Sequence, residues 1–279
     1  MQDNMSIAIL YICTGKYNQF FKGFYRSCEK YFLAGKAEKV YYVWTDDDSL
    51  GDGRNNVKVY HKECAGFPAD SLFRFEMYLQ AEEQLKEYDY IYFFNANAAF
   101  IEPVDEEILP DESGLAMGIW PGKQECRHPM WYPYERRRKS MAYVAPYEKN
   151  YVYYMGGLNG GTPDAYLAMV RTLAQNIRTD YNNGIVAMVH DESHINAYMR
   201  SHECKVIGRN CYLMPEEELP PPIHTTGERS NTNIQTKIIF RDKVRLDPYF
   251  NKGRSRSKWR KIRKGYQMLI RAIRWYLLI

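Results

Sequence analysis

The stretch that most constrains this chain is residues 88–100, YDYIYFFNANAAF. Five successive aromatic or β-branched residues, Tyr90 to Phe94, form a short apolar run of the kind that fits a buried strand, central and parallel in an α/β sheet. The run stops at Asn95-Ala96-Asn97. The C-terminal end of such a strand is where open α/β sheets bind ligands. With a side-chain period of two, both carboxamides project to one face. An Asn-capped turn is the plainer reading of the same residues.

The flanking segments supply the rest of a βαβ pattern. Residues 6–13, SIAILYIC, read as a first strand, ending at Thr14. Residues 17–33 carry Phe20, Phe21, Phe24, Cys28, Tyr31 and Phe32 on one helical face, and Gly35 is a plausible stop. Strands are expected over 39–45 and 56–61, and a helix over 71–86 with Arg74 in its first turns. From position alone Arg74 is either a solvated side chain or one facing the cleft. Residues 114–120 are a further strand. Residues 121–150 lack periodicity, and a long irregular stretch inside a domain is usually a binding loop. Its Glu135-Arg136-Arg137-Arg138-Lys139 run reads as a solvated face.

Residues 151–162, YVYYMGGLNGGT, run a strand into two glycine pairs, which suit tight turns and close backbone approach to a ligand. Thr162 and Pro163 then begin a helix reaching about Thr179. The sequence HDESH at 190–194 opens another helix. Asp191 and Glu192 suit a helix N-terminus electrostatically. Capping does not account for their placement between two histidines. The spacing matches neither HExxH nor HxxEH, and no third ligand cluster accompanies it, so a zinc hydrolase is rejected. Residues 237–245, KIIFRDKVR, form a short strand-like segment with alternating cations.

Charge divides the chain in two. There are 38 Lys and Arg against 34 Asp and Glu. Ten of the basic residues lie from Lys252 onward with no acid among them, so the body is mildly acidic and the tail strongly basic. Along the tail Trp259, Ile262, Tyr266, Leu269, Ile270, Ile273 and Leu277 make a helical stripe between cations. A basic amphipathic helix of this kind suits an anionic membrane surface. Docking on the body and an oligomer contact are the structural alternatives. Nucleic acid is not expected, since nothing in the body suggests base stacking. The six cysteines show no CxxC pairing and are expected reduced. With no signal-peptide pattern or apolar span, a cytoplasmic protein is expected, with the tail allowing a peripheral position on the inner face of a membrane.

Taken in order, KYNQFFKGFYRSCEKYF, FNANAAF, PYERRRKSMAYVAP, YYMGGLNGGT and HDESHINAY resemble glycosyltransferase family 6, the family of the blood group A and B transferases and the α1,3-galactosyltransferase, and most of all its short bacterial members. The resemblance covers about residues 6–245. It implies one α/β domain of GT-A fold over 1–250, Rossmann-like with a mixed central sheet, followed by the tail at 251–279. It implies retaining transfer of N-acetylgalactosamine or galactose from UDP to the 3-OH of a galactoside. On that basis Ile12, Thr14 and Tyr17 hold the uridine, and Arg74 reaches the sugar donor. Glu192 lies beneath the anomeric carbon, and Asp191 binds sugar hydroxyls. Gly156 joins the donor set. Gly157 leaves room for an acetamido group and favours UDP-N-acetylgalactosamine, although Met155 beside it departs from the A-type pattern. Met155 and His190 belong to the acceptor set. Trp120 stands where the mammalian enzymes have an acceptor-binding His, and could stack on a sugar. A fucosylated, H-type galactoside is the acceptor expected by analogy.

The main departure is Asn95-Ala96-Asn97, where mammalian members carry the Asp-x-Asp that binds Mn²⁺. Carboxamides are poor ligands for a hard cation. Each lost charge pair removes on the order of 4 kcal/mol at about 4 Å and an effective dielectric near 20. Two amides can instead donate hydrogen bonds to a bare diphosphate. The resemblance therefore implies a metal-independent enzyme without cofactor, with Arg241 and Lys243 supplying cations for the leaving UDP. A non-catalytic sugar-nucleotide or glycan-binding protein is the alternative.

Overall fold

The computed structural model describes residues 5–122, 132–146, 152–219 and 236–243, together with Tyr266, Leu269 and Ile270. Strand β1 (Met5–Ile12) sends Ile7, Ile9 and Tyr11 into the core on one sheet face and Ala8 and Leu10 into the core on the other. This is the period-two signature of a strand buried on both sides. Strands β2 (Ala37–Thr45) and β3 (Val57–His61) extend the sheet in parallel on one side. On the other side β4 (Tyr90–Phe94) pairs parallel with β1.

Beyond β4 the direction changes. Strand β7 (Tyr154–Gly161) runs antiparallel to β4 and to β6 (Leu115–Ile119), and β8 (Lys205–Ile207) closes the edge parallel to β6. The sheet order is β3-β2-β1-β4-β7-β6-β8. Strand β4 is therefore central, as its apolar run predicts, but parallel on one side only. The result is the α/β architecture with a mixed central sheet that the resemblance implies.

Helix α1 (Phe21–Tyr31) packs Phe21, Phe24 and Cys28 against one sheet face, following a 3-10 turn at Gly15–Phe20 where a single helix was expected. Helix α5 (Pro163–Asn182) covers the other face with Tyr166, Leu167, Val170, Leu173 and Ile177. The helix expected over 71–86 is three short pieces, α2 (Ala69–Leu72), α3 (Arg74–Leu79) and α4 (Glu82–Leu85). Arg74, Phe75, Met77 and Tyr78 are all buried, which exceeds one helical stripe. The breaks fall at Phe73 and at Gln80 and Ala81.

The glycine pairs also differ from expectation. Gly156, Gly157, Gly160 and Gly161 lie within β7 rather than in turns. A Cβ on Gly160 would sit 2.4 Å from the Tyr92 ring, and one on Gly161 2.3 Å from the Gly114 carbonyl oxygen. Close packing between neighbouring strands explains these two glycines. A second sheet, β5 (Ala98–Phe100), β10 (Ile238–Phe240) and β9 (Leu213–Pro215), brings residues 237–243 back beside the Asn95–Asn97 turn.

The described cysteines, Cys13, Cys28, Cys64, Cys204 and Cys211, are free thiols. No described helix is long and apolar enough to cross a membrane. Tyr266, Leu269 and Ile270 are helical, and the rest of the 251–279 reading lies outside the described residues.

Candidate active site

Three chain ends meet at the carboxyl edge of the parallel strands. Strand β1 stops at Ile12, and Cys13 donates its backbone N–H to Trp44. Thr14 is buried, and its hydroxyl donates to Asp70 over 2.9 Å. Asp46 accepts the Gly15 N–H and the Asn18 amide, so two carboxylates shape the turn leading to Tyr17. The Lys243 ammonium lies 5.0 Å from the centre of the Tyr17 ring.

Strand β4 ends in the Asn95–Asn97 turn. The Asn95 N–H donates to Gly157 O, which fixes the turn against the first half of β7. Asn97 is buried and joined to the end of β10 by two bonds. Its Nδ2 donates to Arg241 O over 2.7 Å, and the Arg241 N–H donates to Asn97 O over 2.8 Å. Arg241 packs across Gly23 of α1, where an added Cβ would come within 2.9 Å of Nη1. A Cβ on Gly157 would meet Met155 Cε at 2.6 Å, Asn95 Cβ at 3.2 Å and Phe240 at 3.4 Å. The room that Gly157 leaves is thus already touched by the flexible end of Met155.

Helix α6 (His190–Tyr198) delivers the acids. Asp191 is buried, with Oδ2 lying 3.0 Å from Arg74 Nη2. Arg74 is 4% exposed, its Nη1 donates to Gly156 O, and it lies over the Phe93 ring. The solvated reading of Arg74 fails here, because Asp191 draws it into the interior. The Asp191 contact lacks hydrogen-bond alignment, so Arg74 Nε and Nη2 are buried without an acceptor. Unspent buried donors of this kind call for a physical reason. Burial pushes the Asp191 carboxyl above its ordinary range against the pull of Arg74.

Among the described residues no cation pairs with Glu192. Trp120 Nε1 and the Tyr153 hydroxyl both donate to Oε1, at 3.2 and 2.8 Å, and the Gly156 N–H donates to Oε2 at 2.6 Å. Burial raises the Glu192 pKa to about 7, with the three donors opposing that rise. A Cβ on Gly156 would come within 3.1 Å of Asp191 Oδ2 and 3.4 Å of Glu192 Oε2. Gly156 is therefore the spacer that lets both acids approach β7. His190, at φ 49°, stands edge-on to Phe67.

The structure brings Arg74, Gly156, Asp191, Glu192 and Trp120 into one connected cluster, and Asn95, Asn97, Gly157, Met155 and Arg241 into a second adjoining it. Ile12, Thr14, Tyr17 and Lys243 border the latter through the end of β1. Three positioning residues escaped the sequence reading. Tyr153 lay in an aromatic run with nothing to mark it. Asp70 lies in the first turn of α2, and its bond to Thr14 depends on the fold bringing that helix to the end of β1. Asn196, buried, bonds the backbone N–H and C=O of Tyr154 and the Glu192 carbonyl. Its position four residues after Glu192, on one helix face, was the available signal.

A model for glycosyltransferase family 6 matches residues 1–225. An O-antigen biosynthesis glycosyltransferase of Escherichia coli is 34% identical over 88% of this chain and 99% of its own length. The rat histo-blood group ABO system transferase 1 is 33% identical over 72% of this chain and 58% of its own. The human globoside α-1,3-N-acetylgalactosaminyltransferase 1 is 29% identical over 78% and 64%. The chain thus aligns with about three fifths of the length of these mammalian relatives.

Proposed function

The chain belongs to glycosyltransferase family 6, and from that premise we propose that it moves N-acetylgalactosamine from UDP to the 3-OH of a galactoside, in α1,3 linkage, with retention and without a metal. The observation carrying this reading is the paired environment of adjacent acids. Asp191 is held by Arg74 and suits sugar hydroxyls. Glu192 is held by neutral donors alone and suits a developing positive centre. N-acetylgalactosamine is favoured over galactose by Gly157, and requires the Met155 methyl to move aside. A fucosylated galactoside is the proposed acceptor, with His190 and Trp120 at its edge.

The Asn95–Asn97 turn does not fit a divalent cation. Its side chains are neutral, Asn95 Oδ1 already accepts the Ala96 N–H, and the buried, unpartnered Asn97 Oδ1 would be a lone neutral ligand, with no group of three His, Cys, Asp or Glu side chains among the described residues to complete a site. Charge on the departing diphosphate falls instead to Arg241 and Lys243. In the reaction the bond from the anomeric carbon to the phosphate oxygen breaks, and UDP takes the electron pair. Either Glu192 bonds to the anomeric carbon first and the acceptor oxygen displaces it, or the acceptor attacks on the leaving side while Glu192 stabilises the cationic centre. In either route the acceptor proton passes to a phosphate oxygen of the departing UDP.

Sugar transfer from UDP-N-acetylgalactosamine and from UDP-galactose to fucosylated and plain galactosides tests the assignment. Acceptor-dependent release of UDP supports it. Binding of UDP-sugar with no transfer to any galactoside would favour the non-catalytic alternative. The tail is proposed to meet an anionic membrane surface, consistent with a peripheral position.

A further inference from the structure

The exposed apolar side chains of the body are not scattered. Apart from Tyr266 and Leu269 in the tail, the large exposed ones among the described residues are Phe67, Met141, Tyr181, Val186 and Met188, at 75, 49, 49, 39 and 46% exposure. They lie on one face. The Met141 N–H donates to Asp180, next to Tyr181. Arg137 donates to the Val186 carbonyl, and the Met188 N–H donates to Glu135. The Phe67 ring meets His190 at 4.8 Å, which joins this face to the rim of the candidate site. Soluble domains seldom gather exposed apolar groups without a binding reason.

The charge of the same face is mostly positive. Within 132–146 and 178–190 the only acids are Glu135 and Asp180, both 1% exposed, and the acid that the neighbouring helix adds, Glu76, is paired with Arg178. Glu135 is spent on Arg137 and two backbone N–H groups, and Asp180 on Ser140 and the Met141 N–H. Arg137, Arg138 and Lys139 are exposed, and no described acid pairs with Arg138 or Lys139. Apolar side chains interleaved with cations, their acids withdrawn, are the chemistry of a surface that rests on anionic lipid.

We propose that the face formed by residues 137–141 and 181–188 docks on an anionic bilayer, separately from the basic tail. The tail itself is a poor occupant, since its ten Lys and Arg would meet Arg138 and Lys139 with like charge. A second copy of the chain would set the same cations against each other. Docked this way, the protein holds the His190 rim toward the lipid, within reach of a saccharide displayed on it.

The test is hydrogen–deuterium exchange of the full-length chain with vesicles of phosphatidylcholine alone or of equal parts phosphatidylcholine and phosphatidylglycerol. Protection of 132–146 and 176–190 with the anionic vesicles only is expected. The variant Arg138→Glu/Lys139→Glu/Met141→Ser should weaken vesicle sedimentation about tenfold or more, with an unchanged thermal midpoint. Vesicles that sediment the chain yet leave both segments unprotected would place all binding on the tail and overturn the proposal. Concentration-dependent protection without vesicles would overturn it as well, by making this face a contact between copies.

Discussion

The two ends of the site are built on opposite principles. At the acid end, Glu192 and Asp191 come from consecutive residues of α6, and each is enclosed by side chains already in place. At the amide end, Asn95, Asn97 and Arg241 come from segments far apart in sequence and are joined through backbone groups. The acid end is desolvated, with Arg74 the one ion-pair partner among the described residues to offset its charge. The amide end has carboxamides where the acid end has carboxylates, with Arg241 and Lys243 beside it. Sugar transfer from a diphosphate donor is served by this division, because positive charge grows at the sugar while negative charge leaves on the diphosphate.

Breaking the acid end should cost most. Glu192→Gln keeps the shape, loses the charge, and should lower turnover about a thousandfold or more while the sugar donor still binds; kinetics alongside donor titration separates the two. Arg74→Ala strands Asp191 in the interior. Breaking a buried pair in this way costs about 3–5 kcal/mol, readable as a lower thermal midpoint and lost donor affinity.

At the amide end, Asn97→Asp places a carboxylate oxygen against the Arg241 carbonyl and removes a donor. A loss of about ten- to a hundredfold in kcat/KM for the sugar donor is expected, unrelieved by Mn²⁺, which a titration with the metal checks. The smallest effect sharpens the contrast. Trp120→Phe removes one donor to Glu192 and should lower turnover about tenfold with acceptor KM little changed. If Trp120 instead served as a stacking face, acceptor KM would rise and turnover would hold.

The same environment sets a pH dependence. The Glu192 pKa lies near 7, above its unfolded value, so the folded state binds the proton more tightly. Its contribution to stability is therefore full below the unfolded pKa and is lost as pH rises through about 7. Activity that needs the ionised carboxylate runs the other way, rising with pH through a midpoint near 7 in kcat/KM. Trp120→Phe should move that midpoint upward, because a donor to the charged form is gone.

What the sequence revealed followed from local pattern. The runs at 6–13, 39–45 and 90–94 are strands because residues 7–12, 40–44 and 90–94 within them are apolar throughout, as burial on both faces requires. HDESH was legible because adjacent acids beside histidines exceed what capping requires. Burial of Arg74 was not legible, since it depends on Asp191 arriving from α6. Strands β5 and β9 are three residues each and exist only through pairing, so no periodicity could announce them, whereas β10 falls within the strand-like segment expected at 237–245. The glycine pairs misled because a glycine forced by a neighbouring ring or carbonyl looks, in sequence, like a glycine in a turn.

The most direct test of the division between the two ends is transfer from UDP-N-acetylgalactosamine to a fucosylated galactoside, measured in EDTA and again with Mn²⁺. Equal rates in the two conditions are predicted, with Arg241 and Lys243 answering the leaving charge. Transfer that appears only with Mn²⁺ would contradict the account, because the amide end would then be working through a cation it is not built to hold.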